Sequence, residues 1–474
     1  MFAKIQRVHF VGIGGIGMSG IAEVLLNLGY KISGSDLKST AITQRLASLG
    51  ATIFEGHRAE NVAGAEVVVI SSAVSSENPE VTEARNLHIP VIPRAEMLAE
   101  LMRLKYGIAI AGMHGKTTTT SMVAAVLAAG GLDPTVVVGG RVGAMGSNAR
   151  LGNSQYLVAE ADESDRSFLK LSPILAVVTN IDREHMDCYR NMRNVKQAFL
   201  DFVDRVPFYG MTVVCNDDPV LRRLLPQIRR RTLTYGKRRG SDFQIKAEKP
   251  SVDAEGKPVS RFHVLYRGQD LGEFLLHVPG AHNVLNATAA IAVGVGLEVP
   301  TGQIRDALET FRGVDRRFQL RGKVAGVSVV DDYGHHPTEI RATLAAAREC
   351  GLRKVHVIFQ PHRYSRTQDL MKEFARAFTD ADSLFVLDVY AAGEQSIEGV
   401  TGEALARTIC ETGGTAVYCH SFEQAVASAV SVAQEGDMVL TLGAGSVSQL
   451  GPMILEKLGA RWGAAATLTT VAVS

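Results

Sequence analysis

The sequence predicts an α/β protein with several parallel sheets, organised in three domains. Two segments share one pattern, an apolar strand followed by a glycine-rich turn and a helical stretch, and they start at Arg7 and Gly107. A third alternation of strands and helices begins near residue 327. Because 474 residues exceed one ordinary domain, we expect domains at 1–103, 104–313 and 314–474.

Apolar runs bounded by turn residues predict the strands in chain order. They cover residues 7–11, 107–111, 156–159, 176–181, 327–330, 355–359, 384–387 and 438–442. Helical patterns cover residues 121–129 and 338–350. The small, apolar residues 464–474 are predicted to form a poorly ordered tail.

Composition narrows the possible partners. Lys and Arg total 50 against 49 Asp and Glu, so no general attraction to a polyanion is expected, and nucleic acid is not a predicted partner. No apolar run reaches the ~18 residues of a membrane span, and the N-terminus does not resemble a signal peptide. We therefore expect a cytoplasmic protein without a membrane partner, whose five scattered cysteines are free thiols.

The first glycine-rich loop predicts binding of a nucleotide diphosphate. Gly12, Gly14 and Gly17 follow a strand and open a helix, and Asp36 lies about 20 residues further on. Backbone amides and a helix N-terminus can meet the charge of any pyrophosphate, so the pattern fits NAD and a UDP-sugar equally. A purely structural tight turn is the alternative.

The second loop predicts binding of ATP. Gly112-Met113-His114-Gly115-Lys116-Thr117 resembles a P-loop, although Ile110 stands where the strict motif has its first glycine. In such a loop the amides surround phosphates, the lysine reaches the β- and γ-phosphates, and the threonine hydroxyl binds Mg²⁺. No nicotinamide dehydrogenase needs this loop.

Acidic residues follow two of the strands near this loop. They are 160–165, which read Glu-Ala-Asp-Glu-Ser-Asp, and 182–187, which read Asp-Arg-Glu-His-Met-Asp. Carboxylates at a strand end beside a P-loop suit Mg²⁺. His185 is a candidate for this site only because it lies in the second acidic run. The alternative is that both runs are acidic surface loops.

Five separate motifs lie in order along the chain, at 12–20 (GIGGIGMSG), 114–120 (HGKTTTT), 160–165 (EADESD), 331–337 (DDYGHHP) and 360–366 (QPHRYSR). In these motifs the chain resembles the Mur ligase family, and the resemblance covers about residues 5–455. It implies a Rossmann-like UDP-binding domain, a P-loop-type ATPase domain and a Rossmann-like C-terminal domain that binds an amino acid.

The resemblance also implies an activity. It would be ATP-dependent ligation of L-alanine to the lactyl carboxylate of UDP-N-acetylmuramic acid, through an acyl phosphate, in peptidoglycan precursor synthesis. The alternative within the family is a ligase that attaches a preformed peptide to the same nucleotide sugar in cell-wall recycling. A protein that hydrolyses ATP without ligation would not need the third domain. A monomer or homodimer is expected.

The residue roles implied by the resemblance fall into four groups. The UDP-substrate would contact Gly14, Gly15, Ile16, Gly17, Asp36, Ser71 and Ser72. ATP would contact Gly112, His114, Gly115, Lys116, Thr117, Thr118, Asn283, Asn286, Arg317 and Asp332. Mg²⁺ would bind Thr117, Glu160 and His185. The catalytic residues would be Lys116, His185, His335 and His336.

Arg363 and Arg366 are the predicted anchors of the amino-acid carboxylate. They lie three residues apart after a strand, so both can face one ligand, and a guanidinium binds a carboxylate in bidentate fashion. Two solvated surface arginines are the alternative. His335 or His336 would assist the amine, or orient the loop before Pro337.

Overall fold

The computed structural model describes residues 5–71, 73–142, 147–252, 258–463 and 467–468. The chain divides into two compact units. The first comprises Met1–Lys246, Val264–Gly272 and Leu285–Leu308. The second comprises Ala247–His263, Glu273–Val284 and Glu309–Ser474.

The first sheet is entirely parallel. Its strands are β1 (Arg7–Val11), β2 (Lys31–Asp36), β3 (Thr52–Glu55), β4 (Val67–Ile70) and β5 (Val91–Pro93). Its helices are α1 (Ile16–Asn27), α2 (Ala41–Ser48), α3 (Pro79–Asn86) and α4 (Arg94–Arg103), with a 3₁₀ turn at Ala59–Val62. The strand order β3-β2-β1-β4-β5 places a topological switch beside β1, which is where open α/β sheets bind ligands.

The second sheet has ten strands. They are β6 (Tyr106–Ala111), β7 (Thr135–Val142), β8 (Ser147–Arg150), β9 (Tyr156–Glu160), β10 (Leu175–Val178), β11 (Met211–Cys215), β12 (Thr232–Gly236), β13 (Phe243–Val252), β14 (Pro258–Tyr266) and β15 (Gln269–Leu276). The order is β15-β14-β13-β12-β11-β10-β6-β9-β7-β8. Strand β6 pairs in parallel with β9 on one side and β10 on the other, so the loop after β6 also lies at a switch.

Six helices accompany the second sheet in the described residues. They are α5 (Lys116–Ala129), α6 (Met186–Tyr189), α7 (Met192–Asp204), α8 (Pro219–Leu224), α9 (Ala281–Gly296) and α10 (Thr301–Thr310). Two 3₁₀ turns lie at Ser167–Lys170 and Leu225–Gln227.

The third sheet has seven strands. They are β16 (Gln319–Val324), β17 (Val327–Asp332), β18 (Val355–Phe359), β19 (Ser383–Val386), β20 (Val417–Tyr418), β21 (Met438–Leu442) and β22 (Thr467–Leu468), in the order β20-β19-β18-β21-β17-β16-β22. The helices are α11 (Pro337–Glu349), α12 (Tyr364–Asp369), α13 (Met371–Phe374), α14 (Gly402–Glu411), α15 (Phe422–Val432) and α16 (Leu450–Trp462), with a 3₁₀ turn at Ser446–Gln449.

Successive residues of the central strands of the third sheet pack into two different hydrophobic cores, one on each face of the sheet. Val330, Val357 and Leu440 belong to one buried cluster, whereas their chain neighbours Val329 and Ile358 belong to another. Successive side chains of a strand point to opposite faces, so a sheet covered on both faces requires continuous apolar strands. This explains why β17, β18 and β21 were recognisable in the sequence.

The predicted α/β class with three sheet domains is confirmed, and three details differ. The predicted helix 121–129 already begins at Lys116, and the predicted strand 176–181 ends at Val178. Two residues of the predicted tail, Thr467 and Leu468, pair with β16, and its remaining residues lie outside the described ones. All five cysteines are free, as predicted.

Among the described residues, no helix is both long and apolar enough to cross a membrane.

A buried carboxylate ties the first sheet together. Glu80 of α3 is fully buried, and it accepts hydrogen bonds from Ser35 Oγ and Asn61 Nδ2, each at 2.6 Å. His57 Nδ1 lies 3.2 Å away and His9 Nε2 lies 3.7 Å away. Burial alone would raise the pKa of Glu80, but the contacts with these partners outweigh it and hold the pKa at about 2.

Replacing Glu80 is expected to destabilise the first unit. Glu80→Ala removes the buried acceptor of the shortest hydrogen bonds of Ser35 Oγ and Asn61 Nδ2, which costs roughly 3 kcal/mol. Because the folded pKa lies below the unfolded value of about 4.3, this contribution is present above pH 5 or so and disappears as the pH falls towards 2. Calorimetric unfolding at pH 7 and pH 3 measures both effects. The control is Glu77→Ala at an exposed position; equal loss of stability in the two variants would contradict the assignment.

Candidate active site

The first glycine loop connects β1 to α1. The N–H groups of Gly12 and Ile13 donate to Ser35 O at 2.9 and 3.0 Å, and the N–H of Gly14 donates to Asp36 Oδ2 at 2.8 Å. Helix α1 starts without a side-chain cap, so its first amides remain available to an anion. Asp36, expected near the uridine, is bonded to the loop itself.

Arg94 is a cation beside this loop that the sequence analysis missed. A Cβ on Gly17 would lie 3.1 Å from Arg94 Cδ and 3.2 Å from its Nη1. Arg94 Nη2 is also 3.7 Å from Asp162 Oδ2. The sequence signal that could have identified Arg94 is its position directly after β5. The carboxyl ends of β5 and β1 lie at the same edge of the parallel sheet. Of the two predicted serines, Ser71 Oγ lies 3.4 Å from a Cβ built on Gly12, and Ser72 is outside the described residues.

The second loop requires both of its glycines. Gly112 and Gly115 have φ values of +135° and +81°, a region that side-chain-bearing residues seldom adopt. A Cβ on Gly112 would lie 2.0 Å from Thr179 Oγ1, and a Cβ on Gly115 would lie 2.6 Å from Asn286 Oδ1. Neighbouring side chains therefore fill the space that a Cβ would need.

The end of β10 holds the second loop in place. Asn180 Oδ1 accepts from the N–H of His114 at 2.8 Å, and His114 O accepts from Asn180 Nδ2 and Thr179 Oγ1 at 2.9 and 2.7 Å. His114 Nε2 lies 3.0 Å from Asp182 Oδ2. These bonds explain why β10 stops at Val178, since the next two side chains serve the loop.

Lys116 lies within the loop. Its Nζ donates to Gly112 O at 2.7 Å, to Met113 O at 3.3 Å and to Glu163 Oε1 at 2.8 Å. Burial alone would lower the pKa of Lys116, but the carboxylates of Glu163, Asp162 and Glu160 raise it above its usual range. The ammonium group therefore stays charged in a position where a phosphate can replace the loop carbonyls as its partner.

Glu163 accepts a hydrogen bond from this lysine, and the sequence analysis predicts no role for it. It is fully buried, and its Oε1 lies 3.6 Å from His185 Nε2. Within the described part of the chain, its Oε2 is buried and has no hydrogen-bond partner. Tyr189 fixes the backbone here by donating to Glu163 O at 2.6 Å. Its sequence signal was its place in the acidic run after β9.

The acidic edge has the chemistry of a divalent-cation site. Glu160 ends β9 and is half-buried, and His185 and the buried oxygen of Glu163 accompany it in the same unit. Burial alone would raise the pKa of Asp162, but Lys116 and bonds from Ser164 lower it, so this carboxyl is also ionised. A group of side chains that is rich in oxygen atoms and includes a carboxylate oxygen without a partner suits Mg²⁺.

The predicted adenine pair lies on α9. Asn283 Nδ2 donates to Pro279 O at 2.7 Å, and Asn286 Oδ1 accepts from Thr119 Oγ1 at 3.2 Å. Thr117 and Thr118 are buried in the first turn of α5.

In the second unit, Asp332 organises the loop after β17. It accepts from the N–H groups of Phe318 and Gly334, each at 2.7 Å, and burial raises its pKa. Arg317 lies over the Tyr333 ring, 5.0 Å from its centroid, and 3.7 Å from a carboxylate oxygen of Glu339 on α11.

The two adjacent histidines have opposite hydrogen-bonding roles. His335 Nδ1 lies 3.2 Å from Tyr333 O, and because a carbonyl can only accept, Nδ1 carries the proton. His336 Nδ1 instead accepts from the N–H of Thr338 at 3.3 Å and caps α11. The two rings therefore use Nδ1 in opposite ways, because that of His335 donates to a carbonyl and that of His336 accepts from the helix.

The two predicted arginine anchors lie at the start of α12. Arg366 Nη1 is 3.1 Å from both His362 Nδ1 and His362 O. Arg363 Nη1 is 4.0 Å from Glu394 Oε1, and the same carboxylate accepts from Ser365 N and Oγ at 3.0 and 2.6 Å. The arginines are thus held by neighbouring groups rather than only solvated.

The fold and the two phosphate-type loops define a nucleotide-binding α/β enzyme, and three family models identify its family. "Mur ligase family, catalytic domain" matches residues 7–106, "Mur ligase middle domain" matches 110–294, and "Mur ligase, glutamate ligase domain" matches 316–445. The chain belongs to the Mur ligase family.

Individual relatives are similar over nearly the whole chain. UDP-N-acetylmuramate–L-alanine ligase of Koribacter versatilis is 70% identical over 465 residues, 97% of this chain and 99% of that protein. The enzyme of the same name from Acidobacterium capsulatum is 63% identical over 97% of this chain and 99% of its own length. The crystal structure of UDP-N-acetylmuramate-alanine ligase from Thermotoga maritima has a TM-score of 0.80 at 31% identity and covers 96% of this chain and 99% of that one.

A side chain at Gly115 is expected to impair ATP binding. Gly115→Ala would displace Asn286 Oδ1 and strain a left-handed residue, so we expect ATP to bind at least about tenfold more weakly. Gly131→Ala is the matched control, because Gly131 has φ +74° and nothing within 4 Å of its Cβ position. Titration calorimetry with ATP compares the variants; equal affinities would show that loop geometry does not control nucleotide binding.

Proposed function

We propose that this chain is an ATP-dependent ligase that joins L-alanine to the lactyl carboxylate of UDP-N-acetylmuramic acid during peptidoglycan precursor synthesis. The observation that carries the proposal is the 70% identity, over nearly the full length, to a UDP-N-acetylmuramate–L-alanine ligase. The glycine loops and the ordered arginines provide one site for each type of substrate. ATP is the cosubstrate that the Lys116 loop accommodates.

Activation of the carboxylate is the chemical problem that ATP solves. A carboxylate does not react with an amine because its leaving group would be oxide, whereas an acyl phosphate expels phosphate. The carboxylate and the triphosphate are both anions, so the site must first neutralise charge. Lys116 supplies a permanently charged ammonium group at the phosphate loop, and Arg317 is proposed to add a second cation near phosphate.

Thr117, Glu160 and His185 would hold Mg²⁺, which when bound would neutralise further phosphate charge. The unpartnered buried oxygen of Glu163 supports a cation in this region. Asn283 and Asn286 are proposed to contact adenine, and Asp332 the ribose.

The nucleotide-sugar substrate is proposed to occupy the first loop. Gly14, Gly15, Ile16 and Gly17 would form the surface against which its diphosphate lies, at the N-terminus of α1. Arg94, which touches the position of a Gly17 side chain, would add a positive charge. Asp36 would act in part by holding Gly14, and Ser71 and Ser72 would contact the uridine or sugar.

The amino acid is proposed to bind in the second unit. Arg363 and Arg366 would bind the alanine carboxylate. The amine must lose a proton before it attacks, and we assign proton acceptance to His335 rather than His336. The reason is that His336 Nδ1 already accepts from the N–H of Thr338 and caps α11.

We propose domains at 1–103, 104–313 and 314–474, action in the cytoplasm, where ATP is supplied, and a monomer or homodimer.

Phosphate release tests the substrate assignment. With ATP, Mg²⁺ and UDP-N-acetylmuramic acid present, we expect release to require L-alanine and to yield the alanyl product, identified by mass spectrometry. The cell-wall tripeptide replaces alanine in a parallel reaction. Release with the tripeptide alone would reassign the chain to the peptide-attaching type and would reject our substrate assignment.

A change at Glu160 tests the metal assignment. Glu160→Gln removes one charge from the proposed ligands, so half-maximal activity should need roughly tenfold more Mg²⁺. Binding of Mn²⁺, followed by electron paramagnetic resonance with ADP present, should weaken in parallel. Glu96→Gln is the control, because Glu96 pairs with Lys170 at the surface. Unchanged Mn²⁺ binding in the Glu160 variant would exclude this residue as a ligand.

A further inference from the structure

We propose that His362 is a positioning residue for recognition of the amino-acid carboxylate, acting by holding the Arg366 guanidinium in place. The inference rests on the proposed function for the role of Arg366. It adds a residue for which the sequence motif indicated no task.

His362 accepts a hydrogen bond from Arg366 through its ring Nδ1. Arg366 Nη1 lies 3.1 Å from the ring Nδ1 of His362 and 3.1 Å from its carbonyl oxygen. A guanidinium only donates, so Nδ1 must carry a lone pair and the ring proton must lie on Nε2. A protonated imidazole could not accept this bond.

The surroundings keep the His362 ring neutral. Burial is the main cause that lowers the pKa of this ring to about 3. The other causes are the nearby side chains of His335, Arg366, Arg363 and Arg316. The ring therefore remains an acceptor throughout the pH range in which a ligase is assayed, and it cannot serve as a proton carrier there.

Aromatic neighbours fix the orientation of the ring. His362 stacks on Tyr390 with centroids 5.6 Å apart and planes inclined by 12°, and His335 lies 5.7 Å away. The backbone supports the stack, because Arg363 N donates to Tyr390 O at 2.9 Å and Tyr390 N donates to Pro361 O at 2.8 Å. A ring fixed in this way offers Nδ1 at one position.

Fixing Arg366 before the ligand arrives reduces the entropy lost on binding. A long arginine side chain has many rotamers, and ordering it only on binding weakens affinity. Alanine is small and offers few other contacts, so a preordered guanidinium matters more for it than for a peptide. His362 is thereby expected to affect the KM for the amino acid selectively.

Three substitutions test separately the Nδ1 acceptor, the aromatic ring and the Nε2 donor of His362. His362→Asn places an acceptor oxygen near the position of Nδ1, His362→Gln places its polar end near Nε2, and His362→Phe retains a ring that can stack on Tyr390. We expect the Gln and Phe variants to raise the KM for L-alanine at least about tenfold, whereas Asn stays within about threefold of the parent. The KM values for ATP and UDP-N-acetylmuramic acid should change less than about twofold in all three.

The outcomes are distinguishable. An unchanged KM for alanine in His362→Phe, or an Asn variant as impaired as Phe, overturns the proposal. A fall in kcat with unchanged KM, together with loss of a limb of the pH–rate profile, also overturns it, because the residue would then carry protons. Melting temperatures identify a variant that has merely lost stability, and the Asn rescue remains informative in that case. If the parent enzyme itself shows no alanine-dependent phosphate release, the proposed function fails, independently of His362.

Discussion

The ion pair between Lys116 and Glu163 is the interaction on which the phosphate loop depends. A buried ammonium group is unfavourable without a counter-charge, and the 2.8 Å contact to a fully buried carboxylate supplies one. The same lysine bonds to two carbonyls of its own loop, so the loop is ordered before a ligand arrives. A triphosphate bound there as proposed would exchange one set of partners for another and would not have to order the loop.

The second unit relies on the direction of hydrogen bonds more than on charge. Its three clustered imidazoles, His335, His336 and His362, each meet a partner that can only donate or only accept, and that partner fixes the ring proton. As a result, His336 Nδ1 accepts from the first turn of α11, His362 Nδ1 accepts from Arg366, and His335 Nδ1 donates to a carbonyl oxygen. Neighbouring residues of the same type thus acquire different chemistry through their backbone surroundings.

The sequence predicted the layers and loops because their signals are local. Apolar strands such as β18, and glycines that need positive φ, can be recognised within a few residues. Arg94, Glu163 and His362 could not be assigned, because their partners lie 77, 47 and 4 residues away and meet them only through strand order or a side-chain orientation. Likewise, nothing local distinguishes His335 from His336, since the difference lies in which group each ring meets after α11 has formed.

Arg94 links the two loops of the first unit. Its guanidinium touches the Gly17 position and lies 3.7 Å from Asp162, whose pKa is lowered chiefly by Lys116 against the effect of burial. An anion that draws Arg94 towards the first loop weakens its contact with Asp162 and leaves that carboxylate more dependent on the lysine. Such coupling is reciprocal by thermodynamic necessity. If both loops bind nucleotides as proposed, Arg94 would couple their affinities, and the two nucleotides could not be treated as independent ligands.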